Sequence, residues 1–270
     1  MSMARGGPRS CLAALCLAAL ATVGGCAAPP AALPHASSSP GPVVATGPLH
    51  VVGLGDSVMA GTNCDCDPPL LGYQQSLARR SGRPVVAEDE TVAGLSAQQL
   101  AVNLAQDAEL RQQLATADVV LLVVGANDVV DLAGRRSTTG CPASCYQPVV
   151  DTMARSLDQV LATLDELRPG RAGTVLVGDY WNVLPDGRKA RVVEDAAELA
   201  WSHEVTDAVN RAMATVVDRR GMVLVDLLTP FRGGDGSKDP SGLLADDGDH
   251  PNAEGVKLLV TTFLAATPAD

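Results

Sequence analysis

The sequence predicts an α/β protein in which a parallel sheet of five strands lies between two layers of helices. Five short apolar runs alternate with longer helical stretches across residues 49–267. This alternation is typical of a parallel sheet that helices cover on both faces. The third run, Asp118–Val124, contains only valine and leucine after its first residue, as expected for a strand buried on both faces. We therefore expect a three-layer α/β/α sandwich.

The predicted elements have recognisable boundary signals. The first strand stops at Gly55, the first helix ends at Gly82, and the second helix begins at Ser96, a favourable N-cap residue. The predicted strands are Leu49–Leu54, Pro84–Ala87, Asp118–Val124, Thr174–Val177 and Met222–Leu227. The predicted helices cover residues 70–81, 96–117, 146–168, 190–220 and 252–266. Ligands bind beyond the carboxyl ends of parallel strands, so the residues after these strands are the first candidates for a site.

The N-terminal region predicts export. Arg5 and Arg9 precede an uncharged apolar run, Cys11–Val23, which is too short to span a bilayer and fits a secretory signal peptide. The run ends in Val-Gly-Gly-Cys, which resembles the lipobox of bacterial lipoproteins and predicts a lipoprotein-type signal over residues 1–25 with lipidation of Cys26. The alternative is an ordinary signal peptide in which Cys26 has no role.

Residues 26–48 are mainly alanine, proline, serine and glycine, which cannot form a packed core and predict a tether. Residues 49–267 suffice for one domain with a sizeable core. We expect an outward-facing membrane lipoprotein, or a secreted protein if the lipobox is not used. The formal net charge of −11 gives no electrostatic reason to bind nucleic acid. We expect a monomer.

Four cysteines fall in the predicted domain, as two clusters: Cys64 with Cys66, and Cys141 with Cys145. Disulfides are expected in an exported protein, and four cysteines allow three pairings. Zinc binding is the alternative, because thiolates at these spacings can hold the ion. A bond within the first cluster would close a very tight ring, so we expect the two clusters to pair with each other.

Three short polar motifs supply the groups needed for acyl transfer by a serine nucleophile. Gly-Asp-Ser ends at Ser57 after the first strand, and Gly-Ala-Asn-Asp places Asn127 after the third strand. Asp-Gly-Asp-His-Pro near the C-terminus contributes Asp247 and His250. Since both strands end at the same edge of a parallel sheet, we expect Ser57 and Asn127 to lie near each other.

Each residue type suits a role in this chemistry. A serine hydroxyl needs a base, and imidazole titrates near neutrality. Asp247, three residues before His250, can reach its Nδ1 across a turn, whereas the adjacent Asp249 is expected to point elsewhere. The alternatives are a helix or turn cap for Ser57, ordinary turn chemistry for Asn127, and a loop histidine at position 250.

These motifs resemble those of the SGNH (GDSL-type) hydrolase family over residues 49–266, with Gly94 after the second strand in the place of the family's glycine block. The resemblance implies a flavodoxin-like fold. It also implies that Ser57 is the nucleophile, His250 the base and Asp247 its orienting carboxylate. The backbone N–H groups of Ser57 and Gly94 and the side chain of Asn127 would form the oxyanion hole. The elbow motif of α/β-hydrolases is absent, because residue 59 is methionine.

We therefore expect an exported serine esterase or lipase that hydrolyses carboxylic esters through an acyl-enzyme, with no cofactor and no metal. The substrate would be a small-molecule, lipid or acylated-glycan ester. The alternatives are an acyltransferase or O-acetyl-glycan deacetylase on the same triad, and a non-catalytic surface-binding lipoprotein. Tyr180 and Trp181, after the fourth strand, either line a substrate pocket or fill the core beside it.

Overall fold

The computed structural model describes residues 47–269. The predicted signal peptide, Cys26 and all but the last two residues of the predicted tether lie outside the described residues. The first element, strand β1, begins at Leu49.

The five predicted strands form one parallel sheet. Their bounds are Leu49–Gly55 (β1), Val85–Thr91 (β2), Val119–Val123 (β3), Val175–Gly178 (β4) and Val223–Val225 (β5). They lie in the order β2-β1-β3-β4-β5, and every neighbouring pair is parallel. All five residues of β3 are buried, in agreement with its continuous apolar sequence.

Helices cover both faces of the sheet, which confirms the predicted three-layer sandwich. The α-helices are Pro69–Ser81 (α1), Ala97–Gln106 (α2), Ala108–Thr116 (α3), Ala126–Val129 (α4), Leu132–Thr139 (α5), Ala143–Leu167 (α6), Gly187–Val193 (α7), Ala196–Arg219 (α8), Leu228–Arg232 (α9) and Ala253–Ala266 (α10). Helices α1 and α10 pack together on one face. Helix α6 packs against α2, α3 and α8 on the other.

Two predicted helices are each divided in two. The helix expected over residues 96–117 breaks at Asp107, whose carboxylate accepts hydrogen bonds from the backbone N–H groups of Glu109 and Leu110 and so caps α3. The helix expected over 190–220 breaks before α8, where Asp195 and Glu198 form a capping box. Aspartate caps favour a new helix start over continuation of the preceding helix.

The strand order places the candidate motifs at the topological switch point. Strand β2 pairs with β1 on one side of it, and β3 pairs with β1 on the other side. The direction in which strands are added therefore reverses at β1. A crevice therefore forms beyond the carboxyl ends of β1 and β3, where open α/β sheets bind ligands. Ser57 and Asn127 follow these two strands. Within residues 47–269, no helix has both the length and the apolar character needed to cross a bilayer.

Candidate active site

Ser57 lies in the turn that follows β1. The chain turns tightly there, with the Ala60 N–H donating to the Asp56 carbonyl at 3.0 Å and the Thr62 N–H donating to the Ser57 carbonyl at 3.0 Å. The side chain of Asp56 is buried and accepts hydrogen bonds from the Val58 N–H at 3.0 Å and from the Tyr180 hydroxyl at 2.5 Å. These contacts fix the backbone on both sides of Ser57.

The carboxyl of Asp56 lies in an environment that disfavours its charge. Burial raises the pKa of Asp56 to about 7, although the hydrogen bonds from Tyr180 and Val58 act in the opposite direction. Burial and the neighbouring Asp56 raise the pKa of Tyr180 well above its usual value. The Tyr180 hydroxyl therefore keeps its proton and remains a donor to Asp56.

His250 and Asp247 are in contact, as their spacing predicts. The Nδ1 atom of His250 lies 2.8 Å from Asp247 Oδ2. The other carboxylate oxygen, Oδ1, accepts from the backbone N–H groups of Asp249 at 2.8 Å and His250 at 3.0 Å. With Nδ1 held by the carboxylate, Nε2 is the ring nitrogen left to exchange a proton with another group.

Asn63 is a contributor that sequence reasoning missed. Its Nδ2 donates to Asp247 Oδ2 at 2.6 Å across 184 positions of sequence. Burial by itself raises the pKa of Asp247, but the hydrogen bonds from Asn63, from the two backbone N–H groups and from His250 lower it to about 2. Asp247 is thus a carboxylate at neutral pH. No signal in the sequence near residue 63 points to this contact.

Asn127 joins two loops at the edge of the sheet. Its Nδ2 donates to the Leu95 carbonyl at 3.1 Å, which leaves the second N–H of the amide available. The neighbouring Asp128 accepts from the backbone N–H groups of Ala97 at 2.7 Å and Gln98 at 3.3 Å at the start of α2. The loop that carries Gly94 is therefore held by one hydrogen bond from Asn127 to Leu95 and by two from the start of α2 to Asp128.

A small cleft of about 40 Å³ brings most of the candidate residues together. Ser57, Asn127 and His250 all line it, with Val58, Val130 and Val183 among its apolar lining. Gly94 is exposed and does not line the cleft. Among the described residues the Ser57 hydroxyl has no hydrogen-bond partner. Catalytic hydrogen bonds are often long in the absence of substrate and tighten in the complex.

Tyr180 and Trp181 form part of the core and also line the cleft. Each is only 1% exposed, so the two alternatives predicted for this pair are not mutually exclusive. The Tyr180 hydroxyl accepts from the Ala126 N–H at 3.2 Å while donating to Asp56, so it ties the loop after β1 to the loop after β3. Trp181 stacks on Phe231 with ring centroids 4.3 Å apart.

Asp249 does not point away from the site, contrary to the sequence-based expectation. Its carboxylate lines the same cleft, with Oδ2 4.0 Å from His250 Nε2. Burial raises the pKa of Asp249, and its interaction with His250 acts in the opposite direction. The Asp249 N–H and His250 N–H both donate to Asp247 Oδ1, and in the tight turn that results both residues line the cleft.

The cysteines pair within each cluster, so the expected cross-pairing is wrong. The bonds are Cys64–Cys66, with Cα atoms 5.1 Å apart, and Cys141–Cys145, with Cα atoms 5.0 Å apart. Both separations lie in the usual range for disulfides. Asn63 and Asp65 have left-handed backbone angles, with φ of 58° and 52°, which curl the first cluster enough to bring its two thiols together. No group of three metal-ligating side chains forms within the described part of the chain.

Comparisons with known proteins agree with this arrangement. The sequence profile described as the GDSL-like Lipase/Acylhydrolase family matches residues 54–258. No curated protein sequence matches the chain significantly.

Solved structures with similar folds include three named hydrolases. The lipase Lip_vut3 from a goat rumen metagenome has a TM-score of 0.64 at 15% identity, covering 81% of this chain and 97% of that one. Axe2, an acetylxylan esterase from Geobacillus stearothermophilus, has a TM-score of 0.57 at 15% identity, with coverage of 83% and 96%. The lipase/acylhydrolase from Enterococcus faecalis has a TM-score of 0.55 at 19% identity, with coverage of 80% and 94%. At these identities the likeness shows the fold alone.

The fold is thus that of an SGNH hydrolase, a three-layer sandwich with a polar cleft at the switch point of its sheet. The match over residues 54–258 is more specific, and the chain belongs to the GDSL-like lipase/acylhydrolase family. Membership of this family implies ester hydrolase activity.

Proposed function

We propose that this protein is a serine esterase that hydrolyses carboxylic esters through an acyl-enzyme. The observation that carries the proposal is the cleft at the switch point, which is lined by Ser57, Asn127 and His250. His250 has Asp247 on Nδ1 at 2.8 Å, which leaves Nε2 for the proton of Ser57. A cap, turn or loop role for these residues would not require them to share one cleft.

The proposed reaction uses each residue in turn. Ser57 Oγ attacks the ester carbonyl and its proton passes to His250 Nε2, while the carboxylate of Asp247 stabilises the imidazolium. The oxyanion of the tetrahedral intermediate accepts hydrogen bonds from the N–H of Ser57 and from the second Nδ2 hydrogen of Asn127. Gly94, which lies outside the cleft, has no role in this step. Nε2 then protonates the departing alcohol. Water, activated by the same imidazole, hydrolyses the acyl-enzyme and restores Ser57.

The cleft supports a short acyl group. Its volume of about 40 Å³ and its valine lining leave little room for a long chain. Axe2, which shares the fold, is named an acetylxylan esterase, so acetyl esters are the first substrates to examine. Acetyl transfer to another hydroxyl would use the same groups and differs only in the acceptor.

The test is hydrolysis of p-nitrophenyl esters from acetate to palmitate by the full chain and its Ser57→Ala variant. We expect acetate to be the best substrate and Ser57→Ala to reduce kcat/KM by roughly three orders of magnitude or more, because the nucleophile is lost. Ser137→Ala, which changes an exposed serine outside the cleft, is the matched control. Equal activity in wild type and Ser57→Ala would exclude the proposed mechanism.

We further propose that the protein is exported and anchored through lipid on Cys26. The apolar run Cys11–Val23 and the Val-Gly-Gly-Cys sequence at its end support this location. Cys26→Ala should move the protein from the membrane fraction to the soluble fraction of the expressing cells, and retention in the membrane fraction would argue against a lipid anchor at this residue.

A further inference from the structure

Two carboxylates, Asp247 and Asp249, lie against the imidazole of His250, and a third, Asp56, lines the same cleft. One of the three has no hydrogen-bond donor. Asp247 accepts four hydrogen bonds, and Asp56 accepts two. The carboxylate of Asp249 accepts none from the described residues, and its one polar contact is His250 Nε2 at 4.0 Å. Its side chain is 43% exposed and lines the cleft. Partly buried carboxylates normally have donors, because desolvation without them is costly.

Asp249 lies beside the place where the alcohol part of the substrate would bind. On the proposed function, His250 Nε2 gives its proton to the leaving alcohol oxygen. Proton transfer brings that oxygen to roughly 3 Å from Nε2. Asp249 Oδ2 lies 4.0 Å from the same nitrogen. The leaving oxygen and Asp249 Oδ2 therefore share the same ring nitrogen as a neighbour, which places a group on the adjacent carbon of the alcohol within reach of the Asp249 carboxylate.

We infer that Asp249 is a specificity-determining residue that accepts a hydrogen bond from a second hydroxyl on the alcohol part of the ester. The preferred substrates would then be esters of alcohols with a neighbouring hydroxyl group, as in polyols and sugars. This inference rests on the proposed function.

The chemistry of a carboxylate favours this class over two others. An ionised carboxylate is an acceptor only, so a hydroxyl can satisfy it and an alkyl group cannot. An anionic alcohol would be repelled at close range, because the carboxylates of Asp249 and Asp247 lie against the same imidazole. A hydrogen bond from a neutral donor to a charged acceptor is stronger than one between neutral groups. Replacing the hydroxyl by methyl would displace water from the carboxylate without giving it a hydrogen-bond donor.

The test compares two acetates of nearly equal shape, 2-hydroxyethyl acetate and propyl acetate, with acetate release as the readout. We expect the full chain to favour 2-hydroxyethyl acetate in kcat/KM by about tenfold or more. In Asp249→Ala the ratio of the two kcat/KM values should fall to about one. In Asp249→Asn, which keeps the shape and an oxygen acceptor but not the charge, it should take an intermediate value. A change that affects both substrates equally, such as a change at His250, does not alter the ratio of the two kcat/KM values.

Asp246→Asn is the matched control, because it removes one negative charge from an exposed neighbour that does not line the cleft. This variant should keep the wild-type ratio. An Asp249→Ala ratio equal to that of the wild type would overturn the inference, and Asp249→Asn provides the same comparison should the alanine variant not fold.

If both esters are hydrolysed in a Ser57-dependent manner while the ratio stays unchanged, the proposed function stands and only this inference fails. If neither ester nor p-nitrophenyl acetate is hydrolysed, the proposed function fails and the inference fails with it.

Discussion

Asn63 Nδ2 lies 2.6 Å from Asp247 Oδ2, the oxygen that also faces His250 Nδ1. Asn63 is exposed and adopts a left-handed backbone with φ of 58° beside the Cys64–Cys66 disulfide. The short disulfide ring thus carries a residue that holds the carboxylate of the proposed triad. Its contribution is to orient Asp247 and to keep that carboxyl ionised.

Asn63→Gly should reduce kcat/KM for p-nitrophenyl acetate by about tenfold, because one hydrogen bond to a charged group contributes roughly this factor. Glycine keeps the left-handed backbone without strain, so the change removes only the side chain. Steady-state kinetics would measure the effect. Asp65→Gly, in the same loop and with φ of 52°, is the control. An equal loss in both variants would assign the effect to the loop and not to the hydrogen bond.

The buried Tyr180 illustrates the same dependence on distant contacts. It follows β4, yet its hydroxyl bonds Asp56 after β1 and the Ala126 N–H after β3. One side chain therefore connects the loops of three strands directly below Ser57. Aromatic residues make up only 3% of the chain, but this one, which is almost fully buried, stabilises the arrangement of the cleft that it lines.

At the scale of elements, the turn that carries Asp247 and His250 is anchored to helix α7. The Asp186 N–H, at the N-cap of that helix, donates to the Gly248 carbonyl at 2.7 Å. Gly248 is buried and has a left-handed φ of 74°. A Cβ at this position would lie 2.5 Å from Lys189 Cβ and 2.9 Å from the Asp186 carbonyl oxygen. The turn and the helix start approach so closely only because residue 248 is glycine.

Gly248→Ala should therefore displace the turn and reduce both stability and activity. The left-handed backbone alone costs about 1–2 kcal/mol for alanine, and the contact with Lys189 adds to this cost. Urea denaturation and kcat/KM would measure the two effects.

Gly170→Ala is the control for Gly248→Ala, because φ is 75° and a Cβ there meets nothing within 4 Å. Gly170→Ala should be destabilised only by the cost of placing alanine in a left-handed backbone conformation. Its activity should equal that of the wild type. Wild-type kcat/KM in Gly248→Ala would contradict the anchoring role of this contact.

At the scale of the whole molecule, the buried carboxyls set how stability depends on pH. The folded-state pKa is raised by burial to about 7 for Asp56 and to about 6 for Asp179. For these groups the folded protein holds protons that the unfolded chain releases near pH 4, so stability falls as pH rises from about 4 to 7. For Asp247, with a folded-state pKa of about 2, the stabilisation is present above pH 4 and is lost as pH falls towards 2.

We expect the free energy of unfolding to be greatest near pH 4 and to fall as pH rises to about 7. Asp56 contributes a slope of at most about 1.4 kcal/mol per pH unit between the pKa values of its unfolded and folded forms. Asp56→Asn should flatten this part of the curve, because the amide does not titrate. Urea denaturation between pH 4 and 8 would measure both proteins. An unchanged slope in the variant would show that Asp56 is ionised throughout this range.

Much of the fold follows from the sequence alone. The continuous valine and leucine run identifies β3, and a shorter apolar run identifies β1. The alternation of apolar runs with helical stretches predicts a parallel sheet, because burial on both faces imposes local composition. The helix breaks at Asp107 and Asp195 were not predicted, since an aspartate inside a helical pattern can be either a cap or a surface residue. The proximity of Ser57 and Asn127 was predicted, because strand ends fix where the following residues lie, and both residues line the cleft. Within the described residues no strand ends directly before His250, so its approach to Ser57 could not be predicted in this way.

The sequence by itself determined the three-layer sandwich, the candidate residues Ser57, Asn127, Asp247 and His250, and the spacing that joins the last two across a turn. Only the tertiary structure decided the cysteine pairing, the support from Asn63 and Tyr180, and the direction of Asp249. The physical reason is distance along the chain. Periodicity and turn chemistry act over a few residues, whereas the Asn63–Asp247 and Tyr180–Asp56 hydrogen bonds span 184 and 124 positions and form only when the whole sheet is assembled.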